Sequence, residues 1–373
     1  MEKPFVFGKA VDNANFIGRE QERERLRMNF THGINTILMS PRRWGKTSIV
    51  KRVIKDVRSP RLMVVYMDVF SCRDEYDFCN KFAAEILRGT GNRFEEWKSI
   101  AGEFILRLMP RISYSADGIN DVSVSLGITP KTHKQEEVYA LPELIAQKKK
   151  CHLLICIDEF QQVGEFPDSQ TVQKRMRSVW QHQENVSYCL FGSKKHMMES
   201  LFLEKNYPFY KFGDIVPLHP IAVSDWIPYI RHGFEVEQKM ITEAQIRQIC
   251  ELAGMHPSYI QQYAWLTLIN TRESVTEESL RQGFEDMLEE NSSLYTAQTE
   301  RLTTYQVNFL RAIAAGVHDN FTTAENRDTY SLGSYSNISR LKKALTDAEL
   351  IETTDNGIYF ADPVLKVWFD RNY

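Results

Sequence analysis

Nine consecutive residues, Ser40-Pro41-Arg42-Arg43-Trp44-Gly45-Lys46-Thr47-Ser48, have the types and spacing of a phosphate-gripping loop. The pattern is G-x-x-x-x-G-K-[ST], with Ser40 in place of the first glycine. In such a loop successive backbone N–H groups curl around a β-phosphate, and the start of the next helix adds partial positive charge. Gly45 lets the backbone approach closely, Lys46 reaches the β- and γ-phosphates, and the Thr47 hydroxyl takes a magnesium coordination site. Serine at position 40 costs more than glycine only if the backbone there needs φ > 0. A chance Gly-Lys-Thr in a turn is the bland alternative. The short β-rich run Asn35–Met39 before the loop and the helical pattern Thr47–Val57 after it argue against chance.

A second group lies at the end of His152-Leu153-Leu154-Ile155-Cys156-Ile157-Asp158-Glu159, an apolar run closed by two acids. At the carboxyl end of a parallel strand such acids face the crevice where open α/β sheets bind ligands. Asp158 would hold magnesium, directly or through water, and Glu159 would orient and deprotonate an attacking water. An acid pair after a strand can also cap a helix. Gly192-Ser193 ends the next apolar run. Its hydroxyl either senses the γ-phosphate or positions the water, or else caps the following helix.

These residues need a scaffold that brings three strand ends together. Strands are expected at Asn35–Met39, Leu62–Phe70, Leu153–Ile157, Ser187–Phe191 and Asp214–Leu218, with helices near 20–30, 74–109, 138–149 and 169–183 between them. Nearly continuous apolar runs suit strands covered on both faces. The alternation predicts an α/β fold with a mainly parallel five-stranded sheet between helical layers, over residues 1–220. Within it, residues 111–128 alternate on both sides of Asp117-Gly118, which predicts a hairpin insertion. Residues 221–298 carry helical patterns only. Residues 303–373, within a module bounded at 299–373, hold three short helices, the last read over 335–351, and then a strand pair, Leu350–Thr354 and Gly357–Phe360, turned by Asp355-Asn356. Helix followed by hairpin is the order of a winged helix.

The chain of 373 residues is long enough for two or three domains, and 43% apolar with 25% charged residues is the balance of a globular protein. Lys and Arg total 46 against 49 Asp and Glu, a net charge of −3, which supplies no global attraction to nucleic acid or to an anionic membrane. The last 75 residues, 299–373, hold 8 basic and 10 acidic residues, a net of −2, although Arg340, Lys342 and Lys343 sit on the expected recognition helix. A protein partner is therefore favoured over DNA for this module. Six cysteines without a Cys-x-x-Cys pair read as buried thiols of a reducing compartment. With no signal-like stretch and no apolar run of about 18 residues, the expected location is the cytoplasm.

The assembled motifs resemble, nearly end to end, the P-loop ATPases of the AAA+/STAND superclass, in particular the archaeal-type ATPase family also widespread in bacteria. Phe16-Ile17-Gly18-Arg19-Glu20 is similar to its F-x-G-R-E entry box, Pro41–Ser48 to its P-R-R-x-G-K-T-S loop, and Asp158-Glu159-Phe160-Gln161 to its D-E-[FI]-Q motif. Gly192-Ser193 matches its sensor strand, and Gly254-Met255-His256-Pro257 resembles the turn of its helical lid. The resemblance implies ATP and ADP rather than GTP, magnesium, switch-like hydrolysis, an αβα core, a four-helix lid and a C-terminal winged helix. It also implies that Phe16, Ile17, Gly18 and Arg19 border the adenine, and that His256 and Pro257 touch the nucleotide. Lys211 stands where relatives often carry an arginine, without the bidentate fork of a guanidinium. Two functions compete: a slowly hydrolysing ATPase switch, favoured by Glu159, and a scaffold or DNA-binding regulator that holds nucleotide without catalysis.

Overall fold

The computed structural model describes residues 4–8, 15–91 and 135–373. The hairpin expected at 111–128, and the helical reading beyond residue 91, lie outside the described residues. The chain divides into two compact units: Arg19–His219, and Met1–Gly18 together with Pro220–Tyr373. The N-terminal segment thus belongs with the C-terminal half, a discontinuity that sequence order does not reveal.

In the unit Arg19–His219 helices and strands alternate: α1 (Glu20–Thr31), β1 (Thr36–Met39), α2 (Lys46–Val57), β2 (Leu62–Asp68), α3 (Glu75–Thr90), α4 (Gln135–Lys149) and β3 (His152–Asp158). A short 3-10 helix (Phe160–Glu165) follows, then α5 (Ser169–Trp180), β4 (Val186–Phe191), α6 (Lys195–Leu203) and β5 (Asp214–Pro217). The strands pair in the order β2-β3-β4-β1-β5, every pair parallel. All four residues of β1 and all six of β4 are buried, which is why these runs are apolar throughout rather than alternating. Against the sheet, Trp180 of α5 stacks on Tyr188 of β4 with ring centroids 4.1 Å apart and on Phe82 of α3 at 6.0 Å. Each such aromatic pair adds about 0.5–1.5 kcal/mol beyond its buried area. The order has one consequence for chemistry. β3, β4 and β1 are neighbours running the same way, so the segments that follow them leave the sheet along one edge.

The second unit is helical: α7 (Val223–Val236), α8 (Glu243–Leu252), α9 (Pro257–Ile269) and α10 (Glu277–Thr299), then α11 (Thr304–Ala314), α12 (Ala324–Thr329) and α13 (Tyr335–Asp347). The hairpin β6 (Ile351–Thr354) and β7 (Gly357–Phe360) and a last helix α14 (Pro363–Asn372) complete it. One apolar core runs from Phe5 and Trp226 through Met287 and Tyr295 to Phe369. Phe5 enters it edge-on against Tyr229 and Phe234, at 5.9 and 6.1 Å. Two features depart from expectation. α13 ends at Asp347 rather than 351, because Glu349 takes a left-handed backbone (φ 57°) that turns the chain into β6. α14 was not expected, although Asp362 caps it by accepting from Val364 N and Leu365 N, and Pro363 opens it. All six cysteines are buried and unpaired. Among the described residues no helix is long and apolar enough to cross a membrane.

Candidate functional site

The loop between β1 and α2 turns tightly because two residues, Arg43 (φ 59°) and Gly45 (φ 89°), adopt left-handed backbone. At Gly45 a Cβ would meet nothing within 4 Å, so conformation rather than crowding calls for glycine there. Ser40 has no positive φ, and serine costs no backbone strain at that position. Its hydroxyl donates to Pro41 O at 3.2 Å and accepts from Lys46 Nζ at 3.2 Å. Lys46 is buried, with its ammonium also donating to Ser40 O at 2.9 Å and Pro41 O at 2.6 Å. α2 begins at Lys46 without a side-chain cap, and the first N–H groups of a helix have no partner within it.

Arg19 is buried beside the loop. Its guanidinium donates to Trp44 O and to His219 O, both at 2.9 Å, and lies 3.5 Å from Glu22. It therefore anchors the loop backbone at Trp44. Arg42 and Arg43 are exposed, Trp44 and Thr47 half-buried, and Ser48 buried.

From the loop the network reaches β3. Thr47 Oγ1 donates to Asp158 Oδ2 at 2.8 Å, and Tyr66 of β2 donates to the same oxygen at 2.7 Å. Asp158 Oδ1 accepts from Glu159 N at 2.9 Å. Burial raises the Asp158 carboxyl above its ordinary range; the two hydroxyls oppose that shift, while Glu159 and Asp68 add to it. Burial and the Asp158 charge push the Tyr66 phenol far above its ordinary value, so it stays a donor. Glu159 is left-handed (φ 57°), and its Oε2 accepts from Gln161 Nε2 at 2.5 Å, Ser193 Oγ at 2.8 Å and Ser193 N at 3.4 Å. Neither capping alternative matches the geometry. Lys194, not Ser193, stands at the start of α6, and Glu159, at the start of the 3-10 helix, accepts there from the Gln161 side chain and caps no backbone N–H of that helix.

The structure thus joins Ser40, Lys46, Thr47, Asp158, Glu159 and Ser193 along one sheet edge. Phe16, Ile17, Gly18, His256 and Pro257 belong to the helical unit. There Ile17 packs on the core, Gly18 is left-handed with Asp225 Oδ2 2.6 Å from where a Cβ would stand, and buried His256 lies 4.7 Å from the Tyr259 ring. Lys211 is left-handed (φ 54°) and exposed, its ammonium 5.5 Å from the Tyr210 ring centre. Tyr66 and Gln161 carry site contacts that the sequence did not assign. The signal for Tyr66 was a lone phenol inside an apolar strand; that for Gln161 was an amide two residues beyond the acid pair. Among the described residues no cluster of three or more His, Cys, Asp or Glu could hold a metal. The Thr47 hydroxyl and Asp158 carboxylate instead form an oxygen pair suited to magnesium, which takes few protein ligands and keeps water and phosphate oxygens.

Residues 293–371 match the family described as "Probable winged helix domain". No curated protein matches the chain. Among solved structures, the Walker-type ATPase of Pyrococcus abyssi is similar with a TM-score of 0.70 at 17% identity, covering 98% of this chain and 99% of that one. The ORC2 protein of Aeropyrum pernix, in its ADPNP–ADP complexes, is similar with a TM-score of 0.60 at 15% identity over 98% of each chain. Its ADP form gives 0.54 at 14% identity, over 98% of this chain and 96% of that one. The chain has the P-loop NTPase fold, with a five-stranded parallel sheet flanked by helices and a C-terminal winged helix.

Proposed function

We propose that the protein binds ATP with magnesium and hydrolyses its β–γ bond slowly, as a nucleotide-dependent switch. The observation that carries this reading is the bond between the loop hydroxyl of Thr47 and Asp158, one residue from a carboxylate, Glu159, held by Ser193. On this reading Lys46 exchanges the carbonyls of Ser40 and Pro41 for β- and γ-phosphate oxygens, and the loop N–H groups take the β-phosphate. Thr47 and Asp158 would hold magnesium, which would supply charge neutralisation to the phosphates. Glu159 accepts a proton from the water that attacks the γ-phosphorus, while ADP departs; Ser193 fixes the carboxylate for that transfer. Arg19 keeps the loop in register through Trp44 O. The likeness to a Walker-type ATPase and to an ADPNP-bound protein supports the same chemistry on the same fold. The winged helix is assigned to a protein partner, since its segment carries a net charge of −2 from 8 basic and 10 acidic residues.

Lys46→Ala tests nucleotide binding. Losing a charge-assisted contact to phosphate costs about 1.5–3 kcal/mol, so affinity for a fluorescent ATP analogue should fall about ten- to a hundredfold. Unchanged affinity would remove the loop from the site.

A further inference from the structure

We propose that Gln161, seated against Gly192, is a positioning residue for Glu159, holding one carboxylate oxygen so that the other faces the attacking water. This rests on the reading of Glu159 as the base. Gln161 lies in the 3-10 helix just past the acid pair and is only 2% exposed. Its Nε2 donates to Glu159 Oε2 at 2.5 Å, the oxygen that also accepts from Ser193 Oγ at 2.8 Å. The carboxylate fixes the sense of the amide, because the reversed amide would set two acceptors against each other.

The fold makes two concessions for that one contact. Among the described residues Gln161 Oε1 is buried with no hydrogen-bond partner, a costly state for an acceptor. β4 is also followed directly by a residue without a side chain, since a Cβ on Gly192 would lie 1.7 Å from Gln161 Oε1 and 2.9 Å from Cδ. Gly192 has no positive φ, so room for the amide, not backbone conformation, requires glycine there. Packing alone would favour an apolar side chain such as methionine in the place of Gln161, with no acceptor left unmet. The amide is explained by what its nitrogen holds. With Oε2 engaged by Gln161 and Ser193, Oε1 is the oxygen left to take the proton.

The test compares Gln161→Met, Gly192→Ala, their double variant and Glu159→Gln in the full chain, by thermal melting, ATP-analogue binding and steady-state phosphate release. Gln161→Met should melt at or above the parental temperature and bind ATP within about twofold. Its kcat should fall about ten- to a hundredfold, the cost of a misplaced reacting group. Gly192→Ala should displace the amide and produce a fall of similar size, and the double variant should lose no more than either single one. A parental or raised kcat in Gln161→Met, a loss confined to ATP affinity, or additive losses in the double variant would each overturn the assignment. If Glu159→Gln is inactive while Gln161→Met is parental, the positioning role alone fails; if Glu159→Gln turns over at the parental rate, the reading of Glu159 fails with it.

Discussion

At the scale of single residues, the Asp158 carboxyl lies above its ordinary range because burial outweighs the hydroxyls of Thr47 and Tyr66 that donate to it. The sign of the linked effect follows. A carboxyl with a folded pKa above its unfolded one favours the fold when protonated, so its contribution is full below about pH 4 and is lost as pH rises through the folded value. Asp158→Asn does not titrate. In nucleotide-free protein, the melting temperature of the parent minus that of the variant should fall as pH rises from about 4 and then level off. Thermal melts across pH read this slope, whatever constant offset the asparagine introduces; a flat or rising difference would contradict the burial argument. The main candidate-site residues are legible because phosphate chemistry would dictate both their types and their spacing, as in Gly45-Lys46-Thr47 and Asp158-Glu159. Tyr66 and Gln161 are not, because the contact of Tyr66 with Asp158 and the seat of Gln161 against Gly192 depend on which strands become neighbours. Ser40 was legible as a departure, but only the backbone shows that this position is free of left-handed strain.

At the scale of elements, the turn between α8 and α9 joins two requirements. Gly254 and Met255 are both left-handed, at φ 59° and 57°, and a Cβ on Gly254 would stand 2.4 Å from Pro363 Cβ at the start of α14. Gly254→Ala should therefore combine left-handed strain of about 1–2 kcal/mol with overpacking of about 1–3 kcal/mol. Denaturant unfolding should show a loss of about 2–5 kcal/mol; a loss under about 0.5 kcal/mol, the level of an ordinary surface change, would mean that the contact relaxes freely. The sequence presented Gly254-Met255-His256-Pro257 only as a likeness to a nucleotide-touching turn. Its packing duty was hidden because α14 was itself unread: Val364, Leu365, Trp368 and Phe369 are all buried, and so short an apolar run suits a strand as well as a helix. The five strands were legible from their apolar runs and turn signals. Their order was not, because the pairing of Ile37 with Leu190 leaves no local mark.

At the scale of the whole molecule, the winged-helix segment and the nucleotide reading make separate demands. On α13, Arg340 is exposed, but Lys343 is paired with Asp347 at 3.3 Å, within a segment whose 8 basic and 10 acidic residues net to −2. Gel shifts with random and genomic duplexes at physiological salt should show weak, salt-sensitive binding or none, far from the roughly 10⁻⁸–10⁻¹¹ M of specific readers. A nanomolar complex abolished by Arg340→Ala with Lys343→Ala would assign the module to DNA instead. Turnover of ATP with Glu159 as the proposed base is read out by steady-state phosphate release from the parent and from Glu159→Gln, with ATP binding measured on the same samples. Magnesium-dependent release is expected from the parent and, in Glu159→Gln, retained binding with release slowed by about 10²–10⁴-fold. Equal release by the two proteins, or binding without release in both, would contradict that reading.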